Sequence, residues 1–595
     1  MDIYFLPSDM LLRKQEKLKR QLLAREDVSY IEKRIAILGG STTSILKGQL
    51  ELFLLASGVK PSFYESEYNK YYEDAVFPCP ALEAFQPEII LLFTSCVNIV
   101  NRPVLGDDEA AMREKLDEEM RRFETVWSAL SSRYSAVILQ NNMELPAASP
   151  LGNLEAVLPS GMHRFIGAIN ERFADYAAKH EGFYLHDLNA LAARIGLDRW
   201  HSPFQYYAYK FAMNYDVMPD AAKSLAKILL ALLGKTKKCL VLDLDNTLWG
   251  GVVGDDGVCG LALGHETAAG EAYLAFQSYI KRLKERGVLL AVCSKNEEDA
   301  AKSGFSHPDS VLRLEDFVAF KANWKPKDVN IREIAQELNI GLDSLVFLDD
   351  NPAERQLICN SLPEVAVPDI DPTDICAAIR TIENAGWFEP VSISADDLKR
   401  SNAYRENKQR QELQKSAVSY EDYLTSLDMK AEIVPFREIY YDRIAQLTNK
   451  TNQFNLTTKR MTLADIKQIA VSEEHIALYG RITDKFGDNG LVSVVIGEKS
   501  GNELHMILWL MSCRVLGRGM EQAMLDAVME KAMETGLETV VGYYFPTAKN
   551  KMVANLYKDF GFALREENDG GTVWEMQVAG YEKKNRFIDV REDGE

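Results

Sequence analysis

The sequence is poor in the features that mark membrane, secreted and nucleic-acid-binding proteins. It contains no apolar run of about 18 residues, so no membrane span is expected. Its first residues, MDIYFLPSDM, lack the layout of a secretory signal. The 8 cysteines are dispersed without a C-x-x-C pair, which favours reduced thiols in a cytoplasmic protein over a zinc site or disulfide framework. A formal net charge of −20 argues against general binding of nucleic acid.

The chain is too long for one core, and an acidic motif stands near its middle. At about 150 residues per domain, the 595 residues predict roughly four units. Residues 238–254 read KCLVLDLDNTLWGGVVG, and the apolar run from Cys239 to Leu242 predicts a buried strand of a parallel sheet. Such a strand would place Asp243 and Asp245 at the lip of a ligand crevice. Paired carboxylates beside a phosphate predict Mg²⁺, and an aspartate can itself attack phosphorus.

The string D-L-D-N-T-L resembles the nucleophile motif of the haloacid-dehalogenase (HAD) phosphatases. The resemblance implies three later motifs, and all are present in order. These are Ser294 after the strand in GVLLAVCSKN (287–296), a lysine of KANWKPK (Lys321, Lys325 or Lys327), and Asp349 with Asp350 after the apolar run Leu345–Leu348. Helices are predicted between them at 272–286 and 328–339. The short insert after the first motif, a glycine-rich hairpin at 249–264 and one helix, leaves no room for a cap domain.

The same resemblance implies a role for each residue. Asp243 would be the nucleophile, Asp245 the general acid and base, and Ser294 a hydrogen-bond donor to a phosphoryl oxygen. Lys327 would pair with the phosphate charge. The Mg²⁺ ligands would be Asp243, Asp349 and the carbonyl oxygen of Asp245, and Asp350 would be a further ligand or a support for one.

The part before this unit predicts a second parallel sheet. Strands are expected at 34–40, 88–93 and 135–140, with helices between them. The first strand runs into Gly39, Gly40 and Ser41, and Asp198 and His201 form a late D-x-x-H. This layout resembles the SGNH hydrolases, in which the serine attacks, the histidine is the base and the aspartate orients it; Asn98 is a loose match to the family's asparagine. Two alternatives remain open: a related fold kept for packing or partner binding, or Ser41 as a helix cap.

The last unit predicts three consecutive strands and a glycine loop. Strands are expected at 475–483, 489–498 and 503–511. Arg514, Gly517 and Gly519 then form R-x-x-G-x-G before a helix at 520–533, where glycines and helix amides suit a pyrophosphate. Together with Tyr557 and the Gly561–Phe562 pair, the loop resembles the acyl-CoA site of GNAT acyltransferases.

The three units in this order are similar to the FkbH-like family (HAD subfamily IIIC). The strings that carry the similarity are ILGGSTTS, VLDLDNTLWGGVVGDDG, LLAVCSKN, WKPK, FLDDNPAER, TNQFNLTTKR and SCRVLGRGME. The family's third motif reads W-x-P-K, which selects Lys327. The predicted fold is multidomain α/β: an SGNH/flavodoxin-like parallel-sheet domain, a capless Rossmann-like HAD domain and a GNAT-like α+β domain. The predicted segments are a helical start (1–30), the SGNH-like domain (31–234), the HAD-like domain (235–385), a solvated helical linker (386–430), the GNAT-like domain (431–581) and a mobile charged tail (582–595).

The family resemblance implies glyceryl transfer. A phosphoglyceryl group would be taken from 1,3-bisphosphoglycerate, dephosphorylated at the Mg²⁺ site and loaded as D-glycerate on the thiol of an acyl carrier protein. The phosphopantetheine arm of the carrier, or CoA, would lie at the GNAT-like loop, and TNQFNLTTKR would shape its channel. Cys513, ahead of Cys293, would be an acyl carrier if the transfer is covalent. The alternatives are a stand-alone phosphatase of small phosphate esters and a carrier-docking assembly protein; neither a nucleic acid nor a membrane is an expected partner.

Overall fold

The structure, a computed structural model, describes residues 3–26, 28–371, 373–398, 400–547, 549–568 and 570–591. The chain forms two compact units, Met1–Leu233 with Thr462–Asp465, and Gly234–Met461 with Ile466–Glu595. Among the described residues, no helix combines the length and apolar character that crossing a bilayer requires.

The first unit is a parallel five-stranded sheet between two layers of helices. The strand order is β2-β1-β3-β4-β5, the flavodoxin-like order, and the direction of the connections reverses between β1 and β3. Residues of β1 are buried on both faces: Ile35 and Ile37 contact one apolar cluster, and Ala36 and Leu38 contact another. This two-sided burial explains why the segment is continuously apolar.

The strands of this unit are β1 (Ile31–Gly39), β2 (Val59–Glu65), β3 (Ile89–Phe93), β4 (Val137–Asn141) and β5 (Phe183–His186). Its helices are α1 (Ser8–Arg13), α2 (Gln15–Leu23), α3 (Ser44–Ala56), α4 (Tyr71–Val76), α5 (Pro80–Phe85), α6 (Glu109–Arg133), α7 (Met162–Lys179), α8 (Leu188–Ile195), α9 (Leu197–Trp200), α10 (Pro203–Tyr209) and α11 (Met218–Leu232). The helical start of the chain packs into the same core, where Leu11, Leu18 and Leu22 are buried.

The second unit opens with a HAD-like domain whose four strands are all parallel. Their order is β8-β7-β6-β9, so the strand that leads into Asp243 lies in the interior of the sheet. The strands are β6 (Cys239–Leu242), β7 (Leu289–Ser294), β8 (Ala319–Ala322) and β9 (Leu345–Leu348). The helices are α12 (Val253–Asp256), α13 (Ala268–Glu285), α14 (Glu298–Gly304), α15 (Lys327–Glu337), α16 (Pro352–Ser361) and α17 (Ile375–Ala385).

The insert between β6 and β7 differs in detail from the expected hairpin. Its glycine-rich part holds the short helix α12 and one isolated antiparallel bridge between Gly250 and Ala262. Gly250 is required there because a Cβ would lie 2.9 Å from the ring of Tyr273 and 3.0 Å from Ala262. The insert adds no cap domain to the carboxyl edge of the sheet.

The C-terminal domain is a mixed sheet with helices, as the α+β expectation requires. The order is β16-β17-β15-β14-β13-β12-β10-β18, and β11 pairs beside β14. Only β14–β15 and β10–β18 are parallel among the described pairs. The strands are β10 (Met429–Pro435), β11 (Phe454–Asn455), β12 (His475–Asp484), β13 (Gly487–Ser500), β14 (Glu503–Met511), β15 (Thr539–Tyr544), β16 (Ala563–Asn568), β17 (Gly571–Gln577) and β18 (Ile588–Arg591). The helices are α21 (Tyr441–Lys450), α22 (Leu463–Ala470), α23 (Met520–Glu534) and α24 (Leu556–Asp559).

Two segments that the sequence presents as solvated take part in this domain. The charged tail contributes β18, which pairs with β10 from Met429 to Glu432. The segment before the domain forms α18 (Ala395–Leu398), α19 (Arg400–Ser416) and α20 (Tyr420–Ser426). Arg410 of α19 is buried, and both oxygens of Asp484 accept hydrogen bonds from its guanidinium at 2.7 Å. Arg518 joins the same carboxylate at 3.2 Å.

We expect Arg410→Met to destabilise the C-terminal domain by about 3 kcal/mol, because breaking a buried pair leaves Asp484 with less compensation. Urea unfolding, with hydrogen exchange of β12 and β13 as a local readout, measures the effect. Gln409→Met introduces the same side chain at an exposed position of α19 and should change little. Equal stabilities of the two variants would contradict a structural role for the Arg410–Asp484 pair.

Candidate active site

Three strand ends bring the predicted HAD residues to one edge. Asp243 follows β6, Ser294 ends β7, and Asp349 follows β9. Since β6 pairs with both β7 and β9 in parallel register, these residues lie side by side at the carboxyl edge. The backbone of Asp243 is fixed by a hydrogen bond from its amide to the carbonyl oxygen of Leu348 at 2.9 Å. The sheet therefore forms the crevice that the sequence predicts.

Lys327 connects the two buried aspartates. Its Nζ lies 2.8 Å from Oδ2 of Asp243 and 2.5 Å from Oδ2 of Asp349. Burial opposes the charge of Lys327, but the two carboxylates outweigh it and raise the pKa of the ammonium. The other lysines of the motif point elsewhere: Lys325 pairs with Glu333 at 2.9 Å and Lys321 with Glu337 at 3.0 Å.

The carboxylates of Asp243, Asp349 and Asp350 form a cluster suited to a divalent cation. One oxygen from each lies within 4.8 Å of the others. Oδ1 of Asp243 is buried and has no hydrogen-bond partner, so this oxygen can take a ligand. Burial, followed by repulsion from Asp243, raises the pKa values of both Asp349 and Asp350. An oxygen-only donor set with unsatisfied negative charge fits a hard cation.

Asp245 lies apart from this cluster and is held by its own donors. Its Oδ1 accepts from the indole of Trp249 at 2.9 Å and from the amide of Val253 at 3.0 Å. Its Oδ2 accepts from the amide of Asn296 at 2.8 Å. Burial raises the pKa of Asp245, although the hydrogen bonds counteract it. A carboxyl group that retains a proton above its usual range suits a general acid.

Three supporting residues, Asn296, Arg355 and Thr247, were not predicted from the sequence. Asn296, two positions after Ser294, orients Asp245, and Arg355 donates to the carbonyl oxygens of Asp349 and Asp350 at 2.9 and 2.7 Å. Thr247 accepts a hydrogen bond from the amide of Asp350 at 3.2 Å. Asn296 and Arg355 stand inside the strings LLAVCSKN and FLDDNPAER, so the signal was present, but their contacts depend on the fold.

A protein family and a solved phosphatase structure match this chain. The model of the FkbH N-terminal domain matches residues 34–230. The crystal structure of the N-terminal part of BF1531 from Bacteroides fragilis, which contains a phosphatase domain complexed with Mg, matches at 30% identity. That match covers 64% of this chain and 99% of the other, with a TM-score of 0.59. The chain belongs to the FkbH-like family.

Further solved structures match smaller shares of this FkbH-like chain. The ribosomal-protein-S18-alanine N-acetyltransferase of Escherichia coli matches at 11% identity over 26% of this chain and 99% of that chain, with a TM-score of 0.21. The GNAT domain of S. lividans PAT matches at 16% identity over 24% of this chain and 89% of that chain, also with a TM-score of 0.21. No curated protein matches the chain.

The FkbH-like first unit does not assemble the expected Ser–His–Asp triad. Ser41 is buried after β1, while Nε2 of His201 donates to the carbonyl oxygen of Leu145 at 2.8 Å. Asp198 is exposed on α9. Among the described residues, no hydrogen bond joins Ser41 to His201 or His201 to Asp198. Burial lowers the pKa of His201, which makes it a weaker base than usual.

Asn98, by contrast, does meet the glycine turn. Its Nδ2 donates to the carbonyl oxygen of Gly40 at 2.8 Å, and a Cβ on Gly40 would lie 2.3 Å from the Asn98 side chain. The strings around Gly40 and Asn98 therefore meet in the fold at the end of β1.

The glycine loop of the C-terminal domain is shaped by close contacts. Gly517 and Gly519 have φ values of +74° and +89°, which explains both glycines. The hydroxyl of Tyr420 donates to the carbonyl oxygen of Gly517. Glu521 stands in the first turn of α23, where a carboxylate competes with any anion for the helix N-terminus. Arg514 points instead to a separate cavity beside Ser512.

Part of the TNQFNLTTKR string fills the gap between β14 and β15. These strands pair only from Glu503 to Met506 and then diverge. Phe454 and Asn455 pair with the C-terminal end of β14. The amide of Leu456 donates to the carbonyl oxygen of Trp509 at 3.1 Å. The amide of Phe545 donates to Leu456 at 2.9 Å. These backbone groups are therefore not available to an extended ligand such as a pantetheine arm.

Two other residues predicted to take part in acyl binding or transfer, Tyr557 and Cys293, are buried in the core. Tyr557 is buried, and a Cβ on Gly542 would lie 2.4 Å from its ring. Cys293 is buried in β7, and burial raises the pKa of its thiol, so a reactive thiolate is disfavoured. The side chain of Cys513 lies outside the described residues.

Proposed function

We propose that this protein is a Mg²⁺-dependent phosphatase of the HAD type that works in glyceryl transfer to a carrier protein. The observation that supports it best is the contact of one ammonium, Lys327, with both Asp243 and Asp349, while Oδ1 of Asp243 has no partner. The relative from Bacteroides fragilis was crystallised with Mg at its phosphatase domain. Asp243, Asp349 and Asp350 would hold Mg²⁺ here, together with the carbonyl of Asp245.

The proposed phosphatase chemistry uses residues of this chain in two steps. An oxygen of Asp243 attacks phosphorus, the bond from phosphorus to the ester oxygen breaks, and Asp245 gives that oxygen a proton. Asp245 then takes a proton from water, whose oxygen attacks phosphorus and releases phosphate from Asp243. Lys327 and Ser294 offset the charge on the phosphoryl oxygens, and Mg²⁺ supplies further positive charge when bound.

The proposed substrate is a phosphorylated three-carbon acid activated as an acyl phosphate, 1,3-bisphosphoglycerate. A thiolate of the carrier's pantetheine arm attacks the C1 carbonyl, the bond from carbon to the phosphate oxygen breaks, and phosphate leaves. The remaining phosphate ester at C3 is then hydrolysed at Asp243. Since the gap between β14 and β15 is filled by residues 454–456, the arm would bind elsewhere on the C-terminal domain.

We expect a holo-carrier incubated with the protein, Mg²⁺ and a source of 1,3-bisphosphoglycerate to gain the mass of one glyceryl group. Intact mass spectrometry of the carrier measures this result, and EDTA should leave the phosphoglyceryl mass instead. Rapid phosphate release from 3-phosphoglycerate without a carrier, and no acyl mass on any carrier, would favour the stand-alone phosphatase. An unchanged carrier and no phosphate release from any ester would contradict both functions.

A further inference from the structure

A cavity of about 360 Å³ lies between the HAD-like domain and the C-terminal domain, within the second unit. One wall contains Lys237 and Lys238, which precede β6, and Asp343 and Ser344, which precede β9. These are the amino ends of the strands, so the cavity lies at the opposite edge of the sheet from Asp243. Its volume falls within the usual range for small-ligand sites.

The lining of the cavity is strongly basic in a protein of net charge −20. The cationic side chains come from three parts of the chain: Lys237 and Lys238 of the HAD-like domain, Arg400 of the connecting helix, and Arg443, Lys450 and Arg514 of the C-terminal domain. Asp343 is the one carboxylate among the described lining residues, and Lys549 pairs with it. The fold therefore brings positively charged side chains together at this cavity although the chain as a whole is acidic.

Carboxylates of the protein pair with several of these cations. Asp397, next to the cavity, bonds Arg400 and lies 3.8 Å from Lys450. Burial, together with Arg400 and Arg443, lowers the pKa of Lys450 to about 8 despite Asp397. Because the surrounding positive charge makes the Lys450 ammonium lose its proton more readily, a bound anion would stabilise its charged form.

The remaining lining residues suit a tetrahedral oxyanion with a polar stem. Thr451, Asn452 and Ser512 add hydroxyl and amide groups beside Arg514. Guanidinium and ammonium groups that converge from several directions match the oxygens of a phosphate better than the plane of one carboxylate. The string T-N-Q-F, whose Phe454 pairs with β14, thus forms a wall of this cavity.

We propose that this cavity binds the phosphate ester of a small molecule, either a phosphorylated acid or a phosphopantetheine arm. The proposal does not rest on the phosphatase function, because the cavity shares no residue with the carboxylate cluster and needs no metal. A polyanion here would also join the two domains, since its cationic contacts come from both.

The test is isothermal titration of the full chain in EDTA with three probes. Comparing pantetheine 4′-phosphate with pantetheine shows whether binding depends on the phosphate. Comparing pantetheine 4′-phosphate with 3-phosphoglycerate shows which of the two molecules supplies it. We expect phosphate-bearing probes to bind and pantetheine to bind at least about tenfold more weakly, as expected for the loss of charged hydrogen bonds. Binding of pantetheine 4′-phosphate alone identifies the arm, and binding of 3-phosphoglycerate identifies the small acid.

The pocket variant is Lys450→Gln with Arg514→Gln, and we expect it to lower the affinity for the probe that binds at least about tenfold. The control, Lys551→Gln with Lys558→Gln, removes the same charge at exposed positions of the C-terminal domain and should change binding little. Arg514→Gln alone serves if the double variant unfolds. Equal affinities of pantetheine and its phosphate, no binding of any probe, or binding lost in Lys327→Gln but kept in the pocket variant would overturn the proposal.

Discussion

Asp243→Asn is expected to lower phosphate release from 3-phosphoglycerate or the phosphoglyceryl carrier by about 10⁴-fold or more, since a nucleophile is removed. The substitution leaves the Lys327–Asp349 pair in place, so the protein should stay folded. Release of inorganic phosphate under saturating Mg²⁺ measures the effect. With the carrier, the product should stop at the phosphoglyceryl thioester, which intact mass distinguishes from the glyceryl form.

The matched control is Asp299→Asn, an exposed aspartate at the start of α14, which should keep full activity. A second variant separates the two carboxylates of the motif. In Asp245→Asn, an ester with a good leaving group such as p-nitrophenyl phosphate needs no acid, so the protein should accumulate one phosphoryl group on Asp243. Activity of Asp243→Asn near that of the control, or no phosphoryl-protein in Asp245→Asn, would exclude the covalent route.

The HAD-like fold was predictable because its functional residues directly follow the apolar runs that form the strands. Each apolar run of four to six residues, such as Leu345–Leu348, stops at a polar residue, and parallel pairing places these ends at one edge. The choice of Lys327 over Lys325 came from the W-x-P-K pattern. In the structure, Lys327 contacts Asp243 and Asp349, and Lys325 contacts Glu333.

Contacts between distant segments were not predictable from local pattern. Arg410 stands in a stretch of charged residues, RENKQRQEL, that is typical of a solvated helix, yet it is buried against Asp484, 74 positions later. The serine and histidine of the first domain had the right order along the chain, but His201 is directed to Leu145. Spacing constrains which residues share an edge, whereas side-chain direction depends on neighbours that have no sequence signal.

The two candidate sites lie at opposite ends of the HAD-like sheet. Asp243 is at the carboxyl edge, and Lys237 and Lys238 are at the amino edge. A strand of four residues such as β6 separates them by roughly 13 Å along its axis. If the acyl group is transferred on the C-terminal side, it must then move to Asp243 for dephosphorylation. A group tethered to a carrier can make that movement without release, which agrees with the proposed carrier substrate.

Lys327→Met is expected to lower phosphatase activity by about 10²- to 10³-fold and to destabilise the metal-free protein by roughly 3 kcal/mol. Removal of the ammonium leaves Asp243 and Asp349 facing each other in a buried site, so the pKa of Asp349, already raised by burial, should rise further. A raised carboxyl pKa means that the folded state binds more protons than the unfolded state. The loss of stability should therefore grow as pH increases from about 4 towards 8.

Mg²⁺ should restore most of the stability of Lys327→Met but not its activity, because a cation can replace the lost charge between the carboxylates without replacing the contact to the phosphoryl oxygens. Thermal unfolding at several pH values, with and without Mg²⁺, measures the first effect, and phosphate release measures the second. Lys325→Met is the control, since that exposed lysine contacts Glu333 and should leave both unchanged. A pH-independent loss that Mg²⁺ does not reverse would show that Lys327 serves packing, since repulsion between Asp243 and Asp349 would then not limit stability.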